Sequence, residues 1–281
     1  MGRGYVIAAS LNGHVEVVKL LLENEADITV ANNEGVTPVI AASFDGHVEV
    51  VKLLLKNKAD ITVSNNEGVT PVIAASFNGH IEVVKLLLEN KADITVADNN
   101  GWTPLIAASL NGHVKVVKLL LENEADITVS NNGGGTPVYV ASFNGHVEVL
   151  SSALLRYGQY QAARVLLSEG RVNPDIRDWM GSTALFAAVA NGHLHVAKLL
   201  ISSSAADEAQ AGVGRSLIWW ALRAGNPELL QLLLEHAETV GTRISDHIPN
   251  DLVPTPFDHE APWCDAYFVA RVTFCRFNER P

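Results

Sequence analysis

Apolar and polar positions along this chain form a block that returns every 33 residues. In the block at 32–64, Thr37 offers an N-cap hydroxyl and Pro38 suits the first helical position. The run Val39-Ile40-Ala41-Ala42-Ser43-Phe44 is therefore predicted as a short helix that stops at Asp45-Gly46. A second helix is predicted from Val48 to about Lys56. Its Val50, Val51, Leu53, Leu54 and Leu55 are apolar, and its Glu49, Lys52 and Lys56 are solvated. Ala59-Asp60-Ile61-Thr62-Val63 is β-prone and Asn65-Asn66-Glu67-Gly68 reads as a turn, so a projecting hairpin should follow. Neither short helix can bury its apolar face alone, so successive blocks must stack.

The repetition is strict. Gly35, Gly68, Gly101 and Gly134 fall 33 apart, as do His14, His47, His80, His113 and His146. One interval breaks step: His193 follows His146 by 47 residues and Gly181 follows Gly134 by 47, after which Gly214 restores the spacing. The pattern Gly-x-Thr-Pro-Val-Ile-Ala-Ala, Gly-His-x-x-Val-Val-x-Leu-Leu-Leu, Ala-Asp resembles the ankyrin repeat. It covers residues 2–238, with Thr37-Pro38, Thr70-Pro71, Thr103-Pro104 and Thr136-Pro137 in full form and looser versions at Ser182-Thr183-Ala184-Leu185 and Ser216-Leu217-Ile218. The resemblance implies an all-α chain, an α-solenoid of helix-turn-helix repeats with short β-hairpin-like loops. The array is expected over 1–241, with an irregular unit near 131–177 and a Pro-rich tail over 242–281.

Three departures from the family pattern have physical readings. Its His after Thr-Pro-Leu is replaced by Ile40, Ile73, Ile106 and Tyr139, and by Phe186 and Trp219 in the looser units, which exchanges a polar tie for apolar contact. Its Gly before Ala-Asp becomes Glu25, Lys58, Lys91 and Glu124; each costs about 1 kcal/mol if the backbone stays left-handed. The 47-residue interval lacks a hairpin signal between Val149 and Gln159. Val147–Tyr157 is predicted as one helix, broken at Gly158, with another from Tyr160 to Glu169.

The ends differ from the interior. The first unit lacks a hairpin, has Tyr5 at the Pro position and carries no polar outer face, as if the array continued upstream. In the last unit, Arg223, Glu228, Gln231 and Glu235 suit a cap. Pro249, Pro254, Pro256 and Pro262 argue against regular structure in the tail. There, the segment from His259 to Tyr267 resembles the opening of a ZZ-type zinc finger, but Tyr267 stands where the second Cys belongs and no later Cys pair exists.

Composition narrows the function. A net charge of −11 opposes a nucleic-acid or anionic-membrane partner. The amino terminus has no signal-peptide h-region, and the only cysteines, Cys264 and Cys275, lie in the tail, so an intracellular chain is expected, cytoplasmic or alternatively nuclear. Gly212-Val213-Gly214 and Gly133-Gly134-Gly135 lack the spacing and the Lys of a phosphate loop; the triplet instead should loosen one hairpin. The histidine ladder is assigned to helix starts, and Asp27, Asp60, Asp93 and Asp126 to loop hydrogen bonds. No enzyme activity, cofactor or metal is expected.

The resemblance implies instead a protein partner held on the concave face formed by first helices and hairpins. By position the candidate contacts are Phe44 with Asp45, Phe77 with Asn78, Leu110 with Asn111, and Phe143 with Asn144. The hairpin side adds Glu34, Glu67 and Trp102, the last standing where Val36 and Val69 stand in earlier units. The phenylalanines serve either as contacts or as packing between adjacent first helices. The expected function is a protein-interaction scaffold, or alternatively the sensor segment of a larger signalling protein whose effector domain is missing. A monomer is expected, with end-to-end association through the first unit left open.

Overall fold

The computed structural model describes residues 3–143, 152–170, 173–203 and 217–240. Asn144, the start of the irregular helix and the whole tail, including its finger-like segment, lie outside the described residues. Within them are fourteen helices and no strand. First helices are α1 (Arg3–Leu11), α3 (Pro38–Phe44), α5 (Pro71–Asn78), α7 (Pro104–Leu110), α9 (Pro137–Phe143), α11 (Ala184–Ala190) and α13 (Leu217–Arg223). Second helices are α2 (Val15–Glu23), α4 (Val48–Lys56), α6 (Ile81–Glu89), α8 (Val114–Glu122), α10 (Ser152–Ser168), α12 (Leu194–Ser202) and α14 (Pro227–Val240). First helices pack in one continuous row and second helices in another, each pair closed on itself. This is the expected solenoid, and among the described residues no helix is long and apolar enough to cross a membrane.

The local chemistry follows the sequence. Thr37, Thr70 and Thr103 accept from the amides of Ile40, Ile73 and Ile106 at 3.5, 3.4 and 3.3 Å, with Pro at the first helical position. Seven residues make a helix too short to persist alone; every residue of α3 is buried, and tertiary packing holds it. On the second helices Val50, Val51 and Leu54, and their counterparts Val83, Val84 and Leu87, point inward at 0% exposure. The opposite face is solvated, with Lys52–Glu49 and Lys85–Glu82 pairs at 2.7 and 3.3 Å. Such exposed pairs add only about 0.2–0.5 kcal/mol.

Two expectations change. The β-prone stretch 59–63 forms no ladder: Asp60 accepts from both the amide (2.8 Å) and the hydroxyl (2.7 Å) of Thr62, a local ring that competes with extended pairing. Gly158 does not break a helix, because α10 runs through it from Ser152 to Ser168. One interior Gly costs about 1 kcal/mol relative to Ala, and Ala162, Ala163 and Leu166 anchor the same helix at 0% exposure. The unit is thus α9 followed by one long helix that takes the second-helix place between α8 and α12.

The backbone stays left-handed at the four positions where the family has glycine: Glu25, Lys58, Lys91 and Glu124 have φ of 58, 63, 63 and 64°. The first unit's outer face is also open. Val17 and Leu20 are 47% and 60% exposed, whereas Val50, which repeats Val17, is at 0%.

Candidate partner-binding face

Each turn is built around one side chain. Asn65 Oδ1 accepts from the amides of Glu67 (3.0 Å) and Val69 (2.8 Å), and Asn32 does the same for Glu34 and Val36. Asp98 replaces the amide in the third turn, taking Asn100 and Trp102 N–H at 2.9 and 2.8 Å, and burial raises its carboxyl above the usual range. The turns are tied edge to edge. Backbone N–H of Asn66, Asn99 and Asn132 donates to the carbonyls of Glu34, Glu67 and Asn100 at 2.9, 2.9 and 3.0 Å. Side-chain Nδ2 of the same three residues donates to the carbonyls of Asn33, Asn66 and Asn99 at 2.9, 3.0 and 2.9 Å. The glycine triplet does not disturb this: Asn131 still takes Gly133 and Gly135 N–H at 3.0 and 2.8 Å.

The residues that the sequence marks for contact differ in exposure and in what holds them. Glu34 is exposed and Glu67 half-buried, both at turn tips. Asn78 and Asn111 instead tie units together, donating to the Phe44 and Phe77 carbonyls at 2.9 and 2.8 Å. Phe44 is buried with Val69 and Ile73 and the half-buried Phe77 packs against them, while Leu110 joins Trp102, Ile106 and Val140. Trp102, read from the sequence as a contact, is only 9% exposed, and most of its indole lies between units. Phe143 is half-buried and stacks on Tyr139 at 6.3 Å. Asp45 is half-buried; burial raises its carboxyl, while His47 and His80 oppose that rise.

The histidine ladder proves to be a joint between units. His47, His80 and His113 stand at the starts of α4, α6 and α8, but their side chains cap nothing there. Nε2 of each reaches back to the carbonyl of Leu11, Phe44 or Phe77 at 2.8, 2.9 and 2.9 Å. Among the described residues, no three His, Cys, Asp or Glu side chains are grouped to hold a metal ion.

The family model for ankyrin repeats, in its three-copy form, matches residues 6–98, 91–159 and 150–245. The chain belongs to the ankyrin-repeat family. No individual curated protein matches it. Ankyrin repeats are protein–protein interaction modules, and this array departs from uniformity at one place that the sequence reading passed over. In the fifth turn, Asp178-Trp179-Met180-Gly181 takes the place of Asn32-Asn33-Glu34-Gly35, and Trp179 is 74% exposed. Aligning the turns across the 47-residue interval reveals it.

Charge divides the ankyrin array as well. Between residues 26 and 143 every Lys lies on a second helix or, at Lys58 and Lys91, two residues beyond its end, and there is no Arg. The intervening turn and first-helix segments carry only carboxylates, among them Glu34, Asp45, Asp60, Glu67 and Asp93. The Thr62 and Thr95 hydrogen bonds hold Asp60 and Asp93 below the usual carboxylate range, so those charges persist into mild acid.

Proposed function

We propose that this ankyrin array binds a protein partner along its turn tips and the adjoining ends of its first helices. The observation that carries the reading is the ladder of backbone and amide bonds from Asn33 to Asn132, which fixes a projecting edge before any partner arrives. A preorganised edge loses little conformational entropy on binding. Glu34, Glu67 and Asp45 offer the direct contacts, while Phe44, Phe77, Trp102, Leu110 and Phe143 shape the surface from beneath; the proposed amides Asn78 and Asn111 position it. The test uses the full chain as bait and then measures the dissociation constant of the captured protein. Glu34→Lys with Glu67→Lys should weaken it at least about tenfold, a cost of about 1.4 kcal/mol. Glu49→Lys with Glu82→Lys, on the outer helices, should change it little. The reverse ranking would place the partner on the second helices.

A further inference from the structure

The fifth turn keeps the backbone rung of the others, since Trp179 N–H donates to the Gly133 carbonyl at 3.1 Å. Its side chain differs: where Asn33, Asn66, Asn99 and Asn132 place an amide, Trp179 places an indole. The partner position in the preceding turn is Gly133, where earlier turns have Glu34, Glu67 and Asn100. A side-chain carbon on Gly133 would lie 3.4 Å from Cδ1 of Trp179, so the missing side chain leaves the indole lying along bare backbone. The turn beneath is held on all sides. Asp178 Oδ1 accepts from the amides of Met180 (2.9 Å) and Ser182 (2.7 Å), and Oδ2 accepts from the Tyr139 hydroxyl at 2.8 Å. An indole this exposed contributes little to folding, yet its mounting is rigid. A fixed, exposed Trp beside a small residue has the form of a binding hot spot.

What it would hold follows from two independent features. An indole face attracts cations. The turn edge leading to it, from residue 26 to 143, carries carboxylates and no Arg, and its Lys residues lie on the second helices or, at Lys58 and Lys91, two residues beyond their C-terminal ends. In the fifth turn itself Arg177 donates to its own Gly181 carbonyl, and Asp175 and Asp178 outnumber it. We propose that Trp179 anchors a cationic polypeptide segment, whose Lys or Arg side chains lie along the turn tips toward Glu67 and Glu34. This rests on the turn-edge reading above and names the chemistry of its partner.

Fluorescence anisotropy of a short labelled peptide in which Lys alternates with Ser, added to the full chain, tests it against versions with Gln or Glu in place of Lys. The Lys peptide should bind tightest and weaken as salt rises. Trp179→Asn installs the residue of the other turns and should weaken binding at least about threefold, whereas Trp179→Phe keeps an aromatic face and most of the affinity. Glu34→Gln with Glu67→Gln should weaken binding and flatten its salt dependence; Glu49→Gln with Glu82→Gln should do neither. The proposal is overturned if the Gln peptide binds as tightly, if Trp179→Asn has no effect, or if the outer-helix pair matters equally, which would mark diffuse attraction to an acidic protein. If peptide binding fails while capture of a cellular protein still responds to Glu34→Lys with Glu67→Lys, the cationic assignment falls and the turn-edge reading stands.

Discussion

The imidazole of His80 lies directly over Gly46: a Cβ on that glycine would sit 2.4 Å from Nδ1, while Nε2 donates to the Phe44 carbonyl at 2.9 Å. The glycine also has φ +76°, so two constraints act on one residue. Gly225 separates them, having φ +64° with nothing within 4 Å. Gly225→Ala should therefore cost about 1 kcal/mol, the left-handed penalty alone. Gly46→Ala should cost at least about 1 kcal/mol more, because the imidazole must leave and the carbonyl loses its donor. Urea midpoints of the two variants decide it; equal losses would mean that the contact contributes nothing.

Lys58 and Lys91 hold φ of 63° without glycine's freedom. Lys58→Gly and Lys91→Gly should each stabilise the array by up to about 1 kcal/mol, the relieved strain being partly offset by the looser unfolded chain. Midpoints that fall would show that the lysine side chains contribute packing larger than the strain.

Acid should loosen the joints. Burial holds His80 and His113 below the usual imidazole value, against the opposing pull of the Phe44 and Phe77 carbonyls and, for His80, of Asp45. A depressed folded value means that the unfolded chain binds protons more readily, so stability is complete above about pH 6.5 and declines as pH falls below it. Asp45 has the opposite sign, but it acts only nearer the carboxylate range. Denaturant midpoints measured from about pH 7.5 to 5.5 should fall. The slope should flatten in His80→Gln with His113→Gln; parallel curves for variant and parent would assign it elsewhere.

Trp102→Ala should unfold more than it unbinds. With its indole packed on Ile106, Leu110 and Val140, the truncation should cost about 3 kcal/mol of stability. Trp102→Val, which restores the residue of the earlier turns, should cost less. A variant that keeps its midpoint and loses only affinity would return Trp102 to the contact surface.

The sequence made the helices legible because their signals are local: Thr-Pro caps, and valines and leucines on one stripe. The strained Lys58 and Lys91 were also legible, since a lysine stood where the family has glycine. The roles of His80, Asn78 and Asn111 were not. Their acceptors lie 34 to 36 residues away, and a period does not tell which neighbour a side chain turns toward. Trp102 is similar: its rarity in the pattern was visible in the sequence, its burial was not. Trp179 was hidden by the 47-residue interval, which shifts its turn out of step with the others.

Because His47, His80 and His113 each meet the same kind of glycine and carbonyl in the unit before, neighbouring units are interchangeable parts. Excision of residues 47–79 would join Gly46 to His80 and bring His113 over Gly46, with Asn111 facing the Phe44 carbonyl, so every joint would be remade from side chains of the same type. A gene encoding such a chain can gain or lose whole units by unequal crossing-over without leaving an orphaned surface. The stretch from α9 to α11 differs: its fifth turn is joined to its predecessor by side chains that the other turns lack, Tyr139 bonded to Asp178 and Trp179 lying beside Gly133. Adding or removing a unit before α9 would therefore change the number of turn tips leading to Trp179 and leave the seat of Trp179 itself unaltered.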